Sequence, residues 1–195
     1  MEKWWESINA LLVESMVTKG QVKRAVDSSQ LAFRPRFHSE MKLLRDHQLL
    51  TLVFSAGLYD VIHWTLDREA AASDNVHVVS NVMKFDAEEI IEGFCGDIIH
   101  PMNKTARVLI DSPFWSHHQR RNVLLLGDSR GDVHMADGLE VEEIICIGFL
   151  NVHVEDSLDK YIDLYDVVLT NDASLSPVEN RLQQIVKGAK NEGSF

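Results

Sequence analysis

Two carboxylates four residues apart, in Gly127-Asp128-Ser129-Arg130-Gly131-Asp132, form the most chemically suggestive stretch of the sequence. The apolar run Val123-Leu124-Leu125-Leu126 leads directly into them, so a buried strand would deliver Asp128 to a sheet edge. Glycines beside them permit a tight turn and a close approach of backbone to ligand. Such an oxygen-rich pair suits a hard cation, although turn formation and helix capping use the same residues. A second candidate is Phe54-Ser55-Ala56-Gly57, where a small hydroxyl and backbone N–H groups precede a helix. That is the composition of a phosphate cradle, and equally of an ordinary cap and turn. The third is Asn103-Lys104. A lysine there can neutralise a phosphoryl oxygen and the charge developing on it, whereas Lys104 taken singly reads as a solvated surface residue. The nine histidines show no metal-ligand spacing, His117-His118 being their only cluster. Trp4 and Trp5 could stack on a nucleobase, but at helical spacing they read as core.

The elements that must position these residues follow from periodicity. Leu49 to Phe54 is a short apolar strand that should stop at Ser55-Ala56-Gly57, with a helix from about Leu58 to Ala71. Val76 to Val82 is the next strand, and residues 84–99 hold two β-like pieces around Asp86-Ala87-Glu88-Glu89, a hairpin. Thr105 to His117 suits a helix that Pro113 ends or bends. Val123 to Leu126, Ile144 to Leu150 and Val167 to Leu169 are strands, with helices from Glu155 to Leu164 and from Pro177 to Lys187. The tail from Asn191 to Phe195 should fray. Alternating strands and helices imply an α/β domain with a largely parallel sheet covered on both faces. Ligands of such sheets sit at the carboxyl ends of the strands, where the candidate residues fall. Ahead of this core, Trp4, Ile8, Leu11, Leu12 and Met16 share one helix face, and Gly20 is a plausible stop. Residues 21–26 and 36–45 suit further helices.

Composition narrows the classes of function. At 195 residues and 45% hydrophobic the chain can bury one good core. A net charge of -11 repels polyanions and argues against a nucleic-acid groove, but not against a small phosphorylated substrate neutralised by a cation. No apolar run approaches the ~20 residues needed to cross a bilayer, and no signal-peptide pattern opens the chain. Cys95 and Cys146 each lie in apolar text and read as reduced core residues of a cytoplasmic protein.

The order Phe-Ser-Ala-Gly, Asn-Lys, Leu-Leu-Gly-Asp-Ser-x-Gly-Asp resembles motifs two to four of haloacid-dehalogenase-type phosphatases. Phe54 to Val61, Val79 to Asp86, Gly93 to Gly96, Leu125 to Asp132, Met135 to Gly138 and Ile147 to Asn151 resemble the cytosolic type III (pyrimidine) 5'-nucleotidases. The resemblance implies a haloacid-dehalogenase-like (Rossmann-type) core over residues 31–195 and part of a helical cap over 1–30. It further implies magnesium held by Asp128 with Asp132 in support, and phosphate held by Ser55 and Ala56. Lys104 would bridge phosphate and nucleophile. The implied substrates are nucleoside 5'-monophosphates, often pyrimidine or 7-methylguanosine ones, and the products nucleoside and phosphate. Ile8 stands where relatives carry a base-contacting serine.

One departure concerns the chemistry itself. The family's first motif, Asp-x-Asp-x-Thr or a close variant, supplies the nucleophile and the general acid, and no Asp-x-Asp occurs in this chain. Aspartyl-phosphate chemistry needs both groups. The resemblance also makes that motif's strand central, between the strands ending at Phe54 and Leu126, so the expected core lacks its first central strand and exposes two sheet edges. Two readings stand first: a 5'-nucleotidase represented by an N-terminally truncated sequence, or a catalytically inactive nucleotide- and metal-binding module. A receiver-like signalling domain, a third reading, is disfavoured by the Asp128–Asp132 spacing and the cap-like start.

Overall fold

A computed structural model describes residues 2–109 and 121–192. Its β-branched and leucine-rich runs form two three-stranded sheets. In the first, β1 (Thr51–Leu58) lies parallel to β2 (Val76–Phe85), which turns back antiparallel into β3 (Ile91–Cys95). The expected hairpin is present, with the Asp86 carboxylate accepting from the N–H groups of Glu88 and Ile90 at 3.0 and 2.8 Å. In the second sheet, β4 (Asn122–Gly127), β5 (Glu143–Leu150) and β6 (Val167–Thr170) are all parallel, in that order. Among the described residues no ladder joins β1 to β4, so each has one paired edge. These two unjoined strands are the ones that carry Phe54 and Leu126.

The helices are α1 (Glu2–Glu14), α2 (Lys19–Ser28), α3 (Phe37–Asp46), α4 (Tyr59–Arg68), α5 (Ala106–Leu109), α6 (Val154–Ile162) and α7 (Ser176–Glu192). Gly20 does not stop the first of them. That helix ends at Glu14, Met16 turns left-handed (φ 49°), and Thr18 and Gln21 close a capping box that places Gly20 inside α2. The reciprocal cap satisfies two helix-end N–H groups, which a lone glycine cannot do. The helix expected over Thr105 to His117 is described only as α5; Pro113 and His117-His118 lie outside the described residues, as do the last three residues of the expected frayed tail.

Packing follows the alternation of strand side chains. Ile147 of β5 joins Leu44 of α3 and Val178 and Leu182 of α7 on one face of the second sheet. Its neighbour Cys146 faces the other way, among Leu125, Ala136, Tyr161 and Tyr165. Burial of each such side chain stabilises the fold by roughly 1.5–3 kcal/mol. Phe54, Ile99 and Leu109 form a third cluster, and Met135 packs against both it and the second. Two expectations of burial fail. Cys95 is exposed because it ends the edge strand β3, although both cysteines are free. Trp4, Leu11 and Met16 remain 58%, 55% and 67% exposed, because α1 packs mainly on β3 and turns Trp5, Ile8 and Leu12 inward instead. No helix among the described residues is long and apolar enough to cross a membrane.

Candidate functional site

The phosphate-cradle candidate sits in an irregularity of β1, not after its end. Pairing with β2 runs through Phe54↔Val79 and resumes at Leu58↔Asn81, so Ser55, Ala56 and Gly57 stand opposite Ser80 alone. Excess residues in a bulge leave the ladder and re-aim their groups, as bulges beside functional sites commonly do. Here the Gly57 N–H donates to Ser55 Oγ at 3.0 Å, which fixes the hydroxyl over its own turn. The strand therefore extends to Leu58, beyond the predicted stop.

Lys104 and Asp132 meet directly. The Lys104 ammonium donates to Asp132 Oδ1, with the two side chains only 11% and 2% exposed. Lys104 is thus not a solvated surface lysine. Asp132 Oδ2 accepts from the N–H groups of Asp128 and Ser129, both at 3.0 Å, so the carboxylate ties the loop to the first turn of the 3-10 helix Asp132–Ala136. Burial would raise the Asp132 carboxyl, but the Lys104 bond and charge and the Ser129 bonds outweigh it and hold the carboxyl below its ordinary range. Asp128 is different: its carboxylate is exposed at the end of β4. Partial burial first, then the Asp132 charge, lift its carboxyl above the ordinary range against the pull of Lys104. Asp132 is therefore committed inside the protein on both oxygens, while Asp128 beside it is an exposed residue.

Sequence reasoning missed the groups that hold this loop. Tyr161 Oη donates to the Asp128 carbonyl at 2.7 Å and Tyr165 Oη to the Ser129 carbonyl at 2.6 Å, with the two rings stacked. Burial, with the Asp132 and Asp128 charges behind it, raises both phenols, so they stay protonated donors. Glycine is required beneath them. A Cβ on Gly148 would meet the Tyr165 ring at 2.7 Å, and one on Gly127 would strike Asp132 and the Tyr165 hydroxyl. The available signal was weak: Tyr161 lies on α6, while Tyr165 follows that helix and is held one turn on by its N–H bond to the Tyr161 carbonyl at 2.8 Å.

Comparison with known proteins gives the family and the fold of the chain. The model of the pyrimidine 5'-nucleotidase (UMPH-1) family matches residues 1–186. The chain belongs to that family. A 7-methylguanosine phosphate-specific 5'-nucleotidase A of Xenopus laevis is 38% identical over 98% of this chain and 66% of its own length. The Homo sapiens 7-methylguanosine phosphate-specific 5'-nucleotidase is 35% identical over 95% and 63%. The crystal structure of cytosolic 5'-nucleotidase IIIB bound to cytidine superposes with a TM-score of 0.88 at 32% identity, covering 96% of this chain and 64% of that one. The fold is accordingly haloacid-dehalogenase-like, and the chain spans just under two thirds of the length of these relatives.

Proposed function

We propose that this protein takes part in magnesium-dependent hydrolysis of nucleoside 5'-monophosphates to nucleoside and phosphate, as a cytosolic 5'-nucleotidase. The observation that carries the reading is the buried Lys104–Asp132 pair, which links the loop after the first sheet to the end of β4 in the second. In this reading Ser55 and Ala56 bind phosphate oxygens through hydroxyl and backbone N–H, and Lys104 spreads the charge that develops on the phosphoryl group. Residues 1–30 form part of a helical cap over the base.

The donor set fits magnesium. Asp128 offers an exposed carboxylate, while both Asp132 oxygens are occupied within the protein, so Asp132 supports the site through water or by holding the loop. Magnesium is commonly held by one or two carboxylates with phosphate oxygens and waters, and among the described residues no larger ligand cluster exists. When bound it supplies charge neutralisation at the phosphate. No Asp-x-Asp pair occurs in residues 1–195, and on that observation the second reading is a nucleotide-binding module without turnover. Calorimetric titration with cytidine monophosphate and cytidine, with and without magnesium, tests what the readings share. We expect the monophosphate to bind at least tenfold tighter, and Asp128→Asn to remove most of magnesium's effect. Equal affinity for monophosphate and nucleoside would refute both readings. Phosphate release from the purified chain separates them: turnover favours the enzyme, and binding without turnover the module.

A further inference from the structure

Asn81 is an unusual residue for the middle of an apolar strand: it is 5% exposed, yet its side chain bonds to two separate loops. Its Nδ2 donates to the Ala56 carbonyl at 2.7 Å and to the Ile99 carbonyl at 2.9 Å. Its Oδ1 accepts from the Ile99 N–H at 2.8 Å. The orientation of the amide is fixed by these partners, since a flip would set its oxygen against two carbonyls and its NH₂ against an N–H. Beyond Ile99, Asn103 closes the same loop: its Oδ1 accepts from the His100 N–H at 2.7 Å and its Nδ2 donates to the Ile98 carbonyl at 2.9 Å. Lys104 leaves that closed loop and reaches Asp132.

We infer that Asn81 is a positioning residue that sets the separation between the Ser55–Ala56 bulge and Lys104. The inference rests on the proposed function in taking those groups as the phosphate site. Only an amide of this length meets the requirement. Three residues in a bulge have no ladder to fix them, and a loop carrying a catalytic charge must be held to within fractions of an ångström for its field to act on one phosphate. Asn81 supplies one acceptor and two donors, from a rigid strand, to both. An aspartate of the same shape has no donors when ionised and turns its charge on the carbonyls of Ala56 and Ile99. A serine reaches at most one partner.

Asn81→Asp and Asn81→Ser are compared with wild type by titration with cytidine monophosphate and cytidine in magnesium, and by amide exchange. Leu182→Ala serves as a destabilised control in the α3–α7 core. The expected result is at least a tenfold fall in the ratio of monophosphate to nucleoside affinity for both Asn81 variants. Cytidine affinity should stay within twofold, and the Leu182→Ala ratio should equal wild type. For Asn81→Asp the deficit relative to wild type shrinks as pH falls, because the carboxylic acid regains one donor. A ratio unchanged in either folded variant overturns the inference. If Asn81→Asp does not fold, Asn81→Ser decides. If wild type itself shows no preference for the monophosphate, the functional reading fails, and exchange alone judges the tie. Asn81→Ser should then lose protection at Ile99 and Gly57 together while β5 keeps its own, and retained protection at both overturns it.

Discussion

Replacing Glu40 by glutamine should stabilise the protein at alkaline pH and do little in mild acid. Glu40 lies on α3, 8% exposed, and its Oε2 has no hydrogen-bond partner. It borders a cavity of about 260 Å³ lined by Phe33, Phe37, Leu126 and Phe149 among others, with Arg34 at its side. Across the interface on α7 stands Glu179, whose carboxylate is taken by Arg36 Nε at 2.7 Å and Ser39 Oγ at 3.2 Å. Burial first, and then the Glu179 charge, lift the Glu40 carboxyl from its ordinary 4.5 to about 7. The folded state therefore holds this proton more tightly than the unfolded chain does. The resulting stability is fully present below 4.5 and is lost as pH rises through about 7. Between those limits, at about 1.36 kcal/mol per pH unit, the loss amounts to about 3 kcal/mol. Glutamine keeps the shape and cannot ionise, so Glu40→Gln should gain about 2–3 kcal/mol over wild type at pH 8 and under about 1 kcal/mol at pH 5. For a domain of this size that is a rise of roughly 5–10 °C in Tm at pH 8. Urea unfolding of both proteins at pH 5, 6, 7 and 8 measures it. A difference independent of pH, or a loss of stability at pH 8, would refute the assignment of a proton to Glu40 in the folded state.

Lys104→Ala should destabilise the fold by roughly 3–5 kcal/mol, because it strands the buried Asp132 carboxylate. Lys104→Met with Asp132→Asn should cost less than that single change, and equal losses in urea unfolding would count against the pair. Tyr165→Phe removes the donor to the Ser129 carbonyl and should cost about 1–2 kcal/mol by the same assay; no loss would show that water or a neighbour serves that carbonyl equally well. Amide exchange should be slowest in β2 and β5, each paired on both sides, and faster in β1 and β4, whose second edges have no ladder among the described residues. Protection of β1 and β4 matching that of β5 would mean those edges are paired in solution.

Strand and helix order was legible in the sequence because the apolar runs are short, steep and bounded by turn residues. The polar segments inside β1 and after β4 were legible because each follows a buried apolar run, and ligands of such sheets gather toward the carboxyl ends of the strands. Local rules misread other places. Ser-Ala-Gly suggested a strand end, but pairing with β2 resumes beyond it, and only the partner strand decides between an end and a bulge. Gly20 suggested a helix stop, although the four-residue Thr18–Gln21 box already marked a helix start. Lys104 looked solvated because its partner lies 28 residues away, a contact no local pattern encodes. The same holds for Asn81 and for Tyr161 and Tyr165, whose partners lie on other elements. Residue types and their order along the chain thus determine which chemistry is on offer. Which carboxylate is buried and which is exposed, and which lysine is buried, depend on charges and donors brought together from distant segments, and these only the tertiary structure decides.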